Sequence, residues 1–174
     1  MTALLADLHA ALRDVPFELP RLGLCADLSL ALDLLERSAS LSAPVLELLR
    51  AENERLGSSL AAFPVRPLHG DAHPGNLLAT PLGPMWNDFE DTWLGPLGWD
   101  LACLATSGLM DGGAAVAAYP GPVDAVELAV CVRLRKVFGV VWRYVLGLRF
   151  PSRRAEAEAH LSKWLSRESP VQDQ

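Results

Sequence analysis

An otherwise helix-patterned chain of 174 residues is interrupted between residues 68 and 100 by a stretch that cannot be helical. It opens Leu68-His69-Gly70-Asp71-Ala72-His73-Pro74-Gly75-Asn76-Leu77-Leu78. A turn-rich segment with Pro81, Gly83 and Pro84 follows, then Trp86-Asn87-Asp88-Phe89-Glu90-Asp91, and the stretch closes on Gly98-Trp99-Asp100-Leu101-Ala102. Proline removes a backbone donor and glycine admits conformations closed to other residues, so this block must be loops and short strands. Strands are expected near 65–69, 77–79 and 85–88, the last two as arms of a hairpin turning over residues 80–84. Elsewhere leucines recur at helical spacing. Leu4, Leu5, Leu8 and Leu12 mark a helix over 2–13 that ends before Pro16, and a leucine-rich helix covers 27–37. Ser42 stands as an N-cap, with Pro44 in the first turn of a helix through Leu60. Further helices are expected over 99–109, 122–148 and 153–166, with Pro151 between the last two and Asp111-Gly112-Gly113 as a loop. The fold class is mainly α with a small β-hairpin (α+β), in one domain over residues 1–174.

Asp71 and Asn76 lie five apart in the loop between two apolar runs, and Asp88 ends the next run. Each alone reads most simply as a turn residue capping nearby N–H groups. Together they have the order and spacing of a site that transfers a phosphoryl group to an alcohol. Such a transfer needs the hydroxyl proton accepted, its oxygen aligned and the phosphate charge neutralised. Asp71 suits the role of base. Magnesium takes hard oxygen ligands and usually one or two carboxylates beside the substrate phosphates, which suits Asp88 with the neutral carbonyl of Asn76; manganese could replace it. The hairpin would return Asp88 to Asn76. Gly70 lets the backbone turn sharply and expose the Asp71 carboxylate.

His69 and His73 flank Asp71 and raise the question of zinc. Pro74 and Gly75 follow at once and no third histidine is near, so both are read as supporting the loop through its backbone. His9 is read as a helix-face residue. Glu90 and Asp91 extend the acidic run, either reaching a metal through water or forming a solvated loop. Asp100 is a good residue for a helix start and is given a supporting role; Trp93 and Trp99 are read as packing.

The block resembles the catalytic loop of the aminoglycoside phosphotransferase and choline kinase families, the small-molecule branch of the kinase-like fold. Their text is His-Gly-Asp-x-His-x-x-Asn followed about a dozen residues later by an Asp-Phe metal motif, matched here at His69, Gly70, Asp71, His73, Asn76, Asp88 and Phe89. The resemblance implies a catalytic loop at 68–76, a metal motif at 88–91, and an Asp100 that ties the next helix to the loop. It also implies ATP or another nucleoside triphosphate as donor, magnesium or manganese as cofactor, and a small hydroxyl acceptor. The order of elements resembles the helical C-terminal lobe of that family from end to end. The nucleotide-binding N-lobe of the family carries a small sheet, a phosphate-covering loop and a Lys–Glu pair. No run of strands is expected before residue 68, and the two lysines, Lys136 and Lys163, both follow the catalytic loop. The expectation is therefore a lobe whose N-lobe must come from elsewhere, in cis or in trans, and which alone has little or no activity.

Charge and cysteine usage narrow the partners. A net charge of −6 disfavours a nucleic-acid surface and suits an amine-bearing acceptor. Cys25, Cys103 and Cys131 are odd in number and scattered, as in a reduced, cytoplasmic protein. No signal peptide or membrane span is read. Three functional readings follow: a phosphotransferase lobe, a non-catalytic kinase-like module that binds a small molecule or partner, and a metal-dependent hydrolase using Asp71, Asp88 and the histidines. The first is preferred, because a module released from catalysis need not keep Asp71, Asn76 and Asp88 together.

Overall fold

The computed structural model describes residues 1–168 apart from 15, 17 and 22, with side chains through 166. Seven α-helices and four short strands make up the described residues. The helices are α1 (Thr2–Ala11), α2 (Gly23–Arg37), α3 (Ala43–Leu60), α4 (Gly98–Thr106), α5 (Gly112–Ala117), α6 (Ala125–Arg149) and α7 (Arg154–Glu168). The strands are β1 (Arg66–Leu68), β2 (Leu77–Thr80), β3 (Gly83–Trp86) and β4 (Trp93–Gly95). The mainly helical expectation holds, with differences in detail. α2 begins four residues before the expected Asp27. β4 was not expected; it pairs antiparallel with β1, placing Leu68 opposite Trp93. β2 and β3 form the expected hairpin, but its ladder ends at the Leu77–Trp86 pair and not at Asp88. The Asp111 loop instead caps a short helix, its side chain accepting from the N–H of Ala114.

α6 is the centre of the packing. Its N-cap Asp124 accepts from the N–H groups of Val126 and Glu127, satisfying two donors that the first turn leaves open. Leu134, Val137, Val140 and Val141 are buried along its length. They meet Leu101 and Leu104 of α4, and Leu28, Leu32, Leu49 and Leu56 of α2 and α3 join the same core. Each such leucine stabilises the fold by roughly 1.5–3 kcal/mol on burial. Glu127 of α6 accepts the N–H of Gly98, fixing the start of α4 against α6. A side chain at Gly98 would come within 3.1 Å of Glu127 and 3.2 Å of Cys131, so glycine here allows the close approach. Among the described residues no helix is long and apolar enough to cross a membrane.

Candidate active site

The segment between β1 and β2 carries His69 through Asn76, and it is tied down from below by a buried carboxylate. Asp100, in the first turn of α4, is fully buried. Its Oδ2 accepts the N–H of His69 at 2.9 Å and its Oδ1 accepts the N–H of Gly70 at 3.0 Å. His9 of α1 reaches the same Oδ2 through Nε2 at 2.8 Å, and its Nδ1 meets the hydroxyl of Tyr119 at 3.0 Å. A buried carboxylate with three hydrogen-bond partners is satisfied and holds its partners in register. The indole of Trp99 adds a bond to the carbonyl of Gly70. Gly70 has φ +90°, and a Cβ there would lie 1.8 Å from the carbonyl oxygen of Asp91. Both facts require glycine.

That support presents Asp71 at the cavity. Its Oδ1 accepts from Arg135 Nη2 at 2.6 Å. Its Oδ2 lies 3.3 Å from Asn76 Nδ2 and 3.2 Å from His73 Nε2. His73 Nδ1 accepts the N–H of Gly75 at 3.0 Å, which places the ring proton on Nε2 and aims it at Asp71. His69 Nδ1 takes the N–H of Asp71 at 3.3 Å while Nε2 donates to the carbonyl of Asn87 at 2.9 Å. Both nitrogens of each loop histidine are thus engaged by the protein. Asn76 also donates Nδ2 to the Asp71 carbonyl at 2.9 Å, turning its Oδ1 away from Asp71. The N–H of Asn87 bonds the carbonyl of Asn76 at 2.9 Å, so the hairpin returns the chain to Asn76 one residue before Asp88. Asp88 itself has φ +66°, a left-handed conformation that costs a non-glycine residue free energy.

Asp71 and Asp88 open into a cavity of about 670 Å³ that Asp27, Glu90, Asp91 and Arg135 also line. Burial, and after it the charges of Asp71, Glu90, Asp27 and Asp88, holds the Asp91 carboxyl above its ordinary range. Five carboxyl groups, those of Asp27, Asp71, Asp88, Glu90 and Asp91, thus line one cavity. Among the described residues no three His, Cys, Asp or Glu side chains are grouped to hold a metal ion by themselves.

Arg135 was not singled out from the sequence. Its guanidinium lies 5.6 Å from the Trp99 ring centre and 5.3 Å from that of Phe138, a stacked cradle beneath Asp71. One signal could have found it: at helical spacing Cys131, Arg135, Phe138 and Trp142 share a face, so an arginine stands on an otherwise apolar stripe. His9 lies on α1 as read, but on its buried face. It is buried four residues after Leu5 and completes the Asp100 network.

The helical lobe and its hairpin-bearing loop have the architecture of part of the aminoglycoside phosphotransferase and choline kinase fold. The chain belongs to the phosphotransferase enzyme family, which it matches over residues 1–120. No curated protein matches it. Several solved structures do. The GDP and kanamycin complex of the aminoglycoside phosphotransferase APH(2")-IIia is 20% identical, covers 96% of this chain, and has a TM-score of 0.65. The choline kinase LicA from Streptococcus pneumoniae is 18% identical over 93% of this chain, with a TM-score of 0.63. A choline/ethanolamine kinase family protein from Mesorhizobium loti is 20% identical over 98%, with a TM-score of 0.65. At these identities the likeness is one of fold. The chain spans 62%, 64% and 63% of those three proteins respectively.

Proposed function

We propose that this chain is the catalytic lobe of a small-molecule phosphotransferase, transferring the γ-phosphate of ATP or another nucleoside triphosphate to a hydroxyl of a small, amine-bearing acceptor. The observation that carries this reading is the placement of the Asp71 carboxylate. It is held from three sides and opens into a cavity lined by four further carboxylates. In the transfer the acceptor oxygen bonds to the terminal phosphorus as the bridging P–O bond breaks. The hydroxyl proton passes to Asp71 and the nucleoside diphosphate leaves. His73 and Asn76 hold the carboxylate in the orientation that meets the hydroxyl. His69, Gly70 and Asp100 are positioning residues that fix the loop.

The donor set fits magnesium or manganese. Asp88 offers a carboxylate, and Asn76, with its amide nitrogen on Asp71, offers a carbonyl oxygen. Where bound, such an ion neutralises phosphate charge. Ligation by two protein groups would be completed by nucleotide phosphates. The phosphate-clamping lysine and covering loop would come from an N-lobe in cis or in trans, since both lysines of this chain follow the catalytic loop. Three free cysteines suit a cytoplasmic setting.

One observation favours a second reading, a non-catalytic binding module: both Asp71 oxygens are already occupied by protein groups. Manganese titration followed by water-proton relaxation separates the two readings. Enhancement that is strengthened by ATP and lost in Asp88→Ala supports the phosphotransferase. Enhancement unchanged in Asp88→Ala defeats the metal assignment.

A further inference from the structure

A second cavity, also of about 670 Å³, adjoins the acidic one and shares His73, Arg135, Phe138 and Trp142 with it. Its charge is opposite. The remaining basic side chains on its wall are Lys136, Arg143 and His160, and no carboxylate lines it among the described residues. The chain holds 15 Lys and Arg against 21 Asp and Glu, so composition alone would not sort the charges this way. Lys136 is exposed, with no ion-pair partner within 4.0 Å among the described residues. Arg143 Nε lies 3.5 Å from Glu156, whose side chain is 65% exposed, a screened pair that leaves the cavity positive.

The floor of this cavity is a glycine in the middle of α6. Glycine weakens a helix interior by about 1 kcal/mol relative to alanine, so Gly139 is not there for the helix. A Cβ at Gly139 would lie 3.2 Å from Arg143 Nη1 and 3.9 Å from His160 Nε2. Arg143 Nη1 donates to the carbonyl of Gly139 at 2.9 Å, so the missing methyl lets the guanidinium lie close over the helix backbone beside His160. Lys136, Gly139 and Arg143 follow one another at helical spacing, so one face of α6 presents both cations.

We propose that this cavity binds an anionic group, phosphate or carboxylate, with Lys136, Arg143 and His160 as its ligands, and that the group belongs to the acceptor. The second half rests on Asp71 as the base. His73 lines both cavities and touches Asp71 Oδ2, so an acceptor with its acidic group here can extend its hydroxyl to Asp71. Charge-assisted bonds to two or three cations give both affinity and orientation.

The test is a nuclear magnetic resonance titration of the isotope-labelled full chain with inorganic phosphate, glycerol 1-phosphate and, as control, glycerol. Saturable shifts around Lys136, Gly139, Arg143 and the 106–109 loop are expected with both phosphates and not with glycerol. Lys136→Gln combined with Arg143→Gln should weaken binding at least about tenfold, while Arg149→Gln should not. Gly139→Ala provides a second variant: the new methyl would meet Arg143 Nη1 at 3.2 Å and displace the guanidinium, so it should weaken phosphate binding. Shifts spread over all basic residues, or equal affinity in the variants, would overturn the site. Shifts at Asp71 and His73 with glycerol 1-phosphate but not phosphate support the acceptor as source. Their absence with both ligands assigns the site to a free anion and overturns the acceptor half. Asp71→Asn should not lower phosphate affinity, so failure of the catalytic reading appears in turnover and not in this titration.

Discussion

Arg135 and Asp71 are 64 positions apart in sequence and 2.6 Å apart in space, guanidinium nitrogen to carboxylate oxygen. The arginine rises from the middle of α6, between the rings of Trp99 and Phe138. Trp99 also bonds the carbonyl of Gly70, so one indole supports both the loop backbone and the cation that meets the loop's carboxylate. α4 and α6 therefore set the position of Asp71 as much as the loop does. This pair also offsets the repulsion that Asp71 would otherwise feel from Asp88, Glu90 and Asp91.

Gly70→Ala should collapse this arrangement. The new methyl would sit 1.8 Å from the backbone oxygen of Asp91, which no rotamer can relieve, and the φ of +90° adds strain. A loss of at least about 2–3 kcal/mol is expected, read by denaturant unfolding. A variant as stable as the parent would mean that the loop does not pack against Asp91 as described.

Asp88 pays a backbone cost for its place. Its φ of +66° is accessible to glycine without penalty but not to alanine. Asp88→Gly should be more stable than Asp88→Ala by about 1 kcal/mol. That is a melting difference of about 2–4 °C for a chain of this size. Both should lose manganese binding. Equal melting of the two variants would remove the strain from the account.

Stability should fall as pH rises through the range where Asp91 ionises. Burial, and then the charges of Asp71, Glu90, Asp27 and Asp88, raises its folded-state pKa above 3.8. The folded state then binds more protons than the unfolded state between the two values, so deprotonation weakens it. Asp91→Asn should melt higher than the parent at neutral pH, with the advantage fading as pH approaches 3.8. An advantage that is constant with pH would point to packing and not to charge.

The sequence located the residues of the candidate site better than their supports. Leucine spacing located the helices, and the Gly and Pro positions located the loop and hairpin, because these are local preferences. β4 went unseen because a three-residue strand has too few residues to show alternation, and its pairing with β1 is a long-range event. α5 was hidden by Gly112 and Gly113, which read as a loop until the Asp111 cap is seen. His69, Gly70, Asp71, His73 and Asn76 lie within eight residues, and the hairpin brings Asp88 to them. Arg135 and His9 come from helices far along the chain, and nothing in the spacing of either says which loop it will meet. Charge on an apolar stripe was the available clue for Arg135.

The Asp71–Arg135 pair can be dissected by a double-mutant cycle joined to turnover. Asp71→Asn removes the proton acceptor and leaves a largely buried guanidinium without its carboxylate. Breaking one side of such a pair destabilises more than removing both, because the remaining charge is uncompensated. Asp71→Asn and Arg135→Gln should each destabilise the chain, and the double variant should cost less than their sum by about 1–3 kcal/mol. Turnover separates the roles. In an enzyme with its nucleotide-binding lobe restored, Asp71→Asn should lower kcat by about 10²–10⁴ with nucleotide affinity nearly unchanged, the range for a positioned general base. Arg135→Gln keeps the base, so its kcat should fall less than that of Asp71→Asn. An Asp71→Asn enzyme with near-normal kcat would remove Asp71 from the chemistry. An Arg135→Gln enzyme as inactive as Asp71→Asn would show that the arginine contributes more than the orientation and charge of its partner.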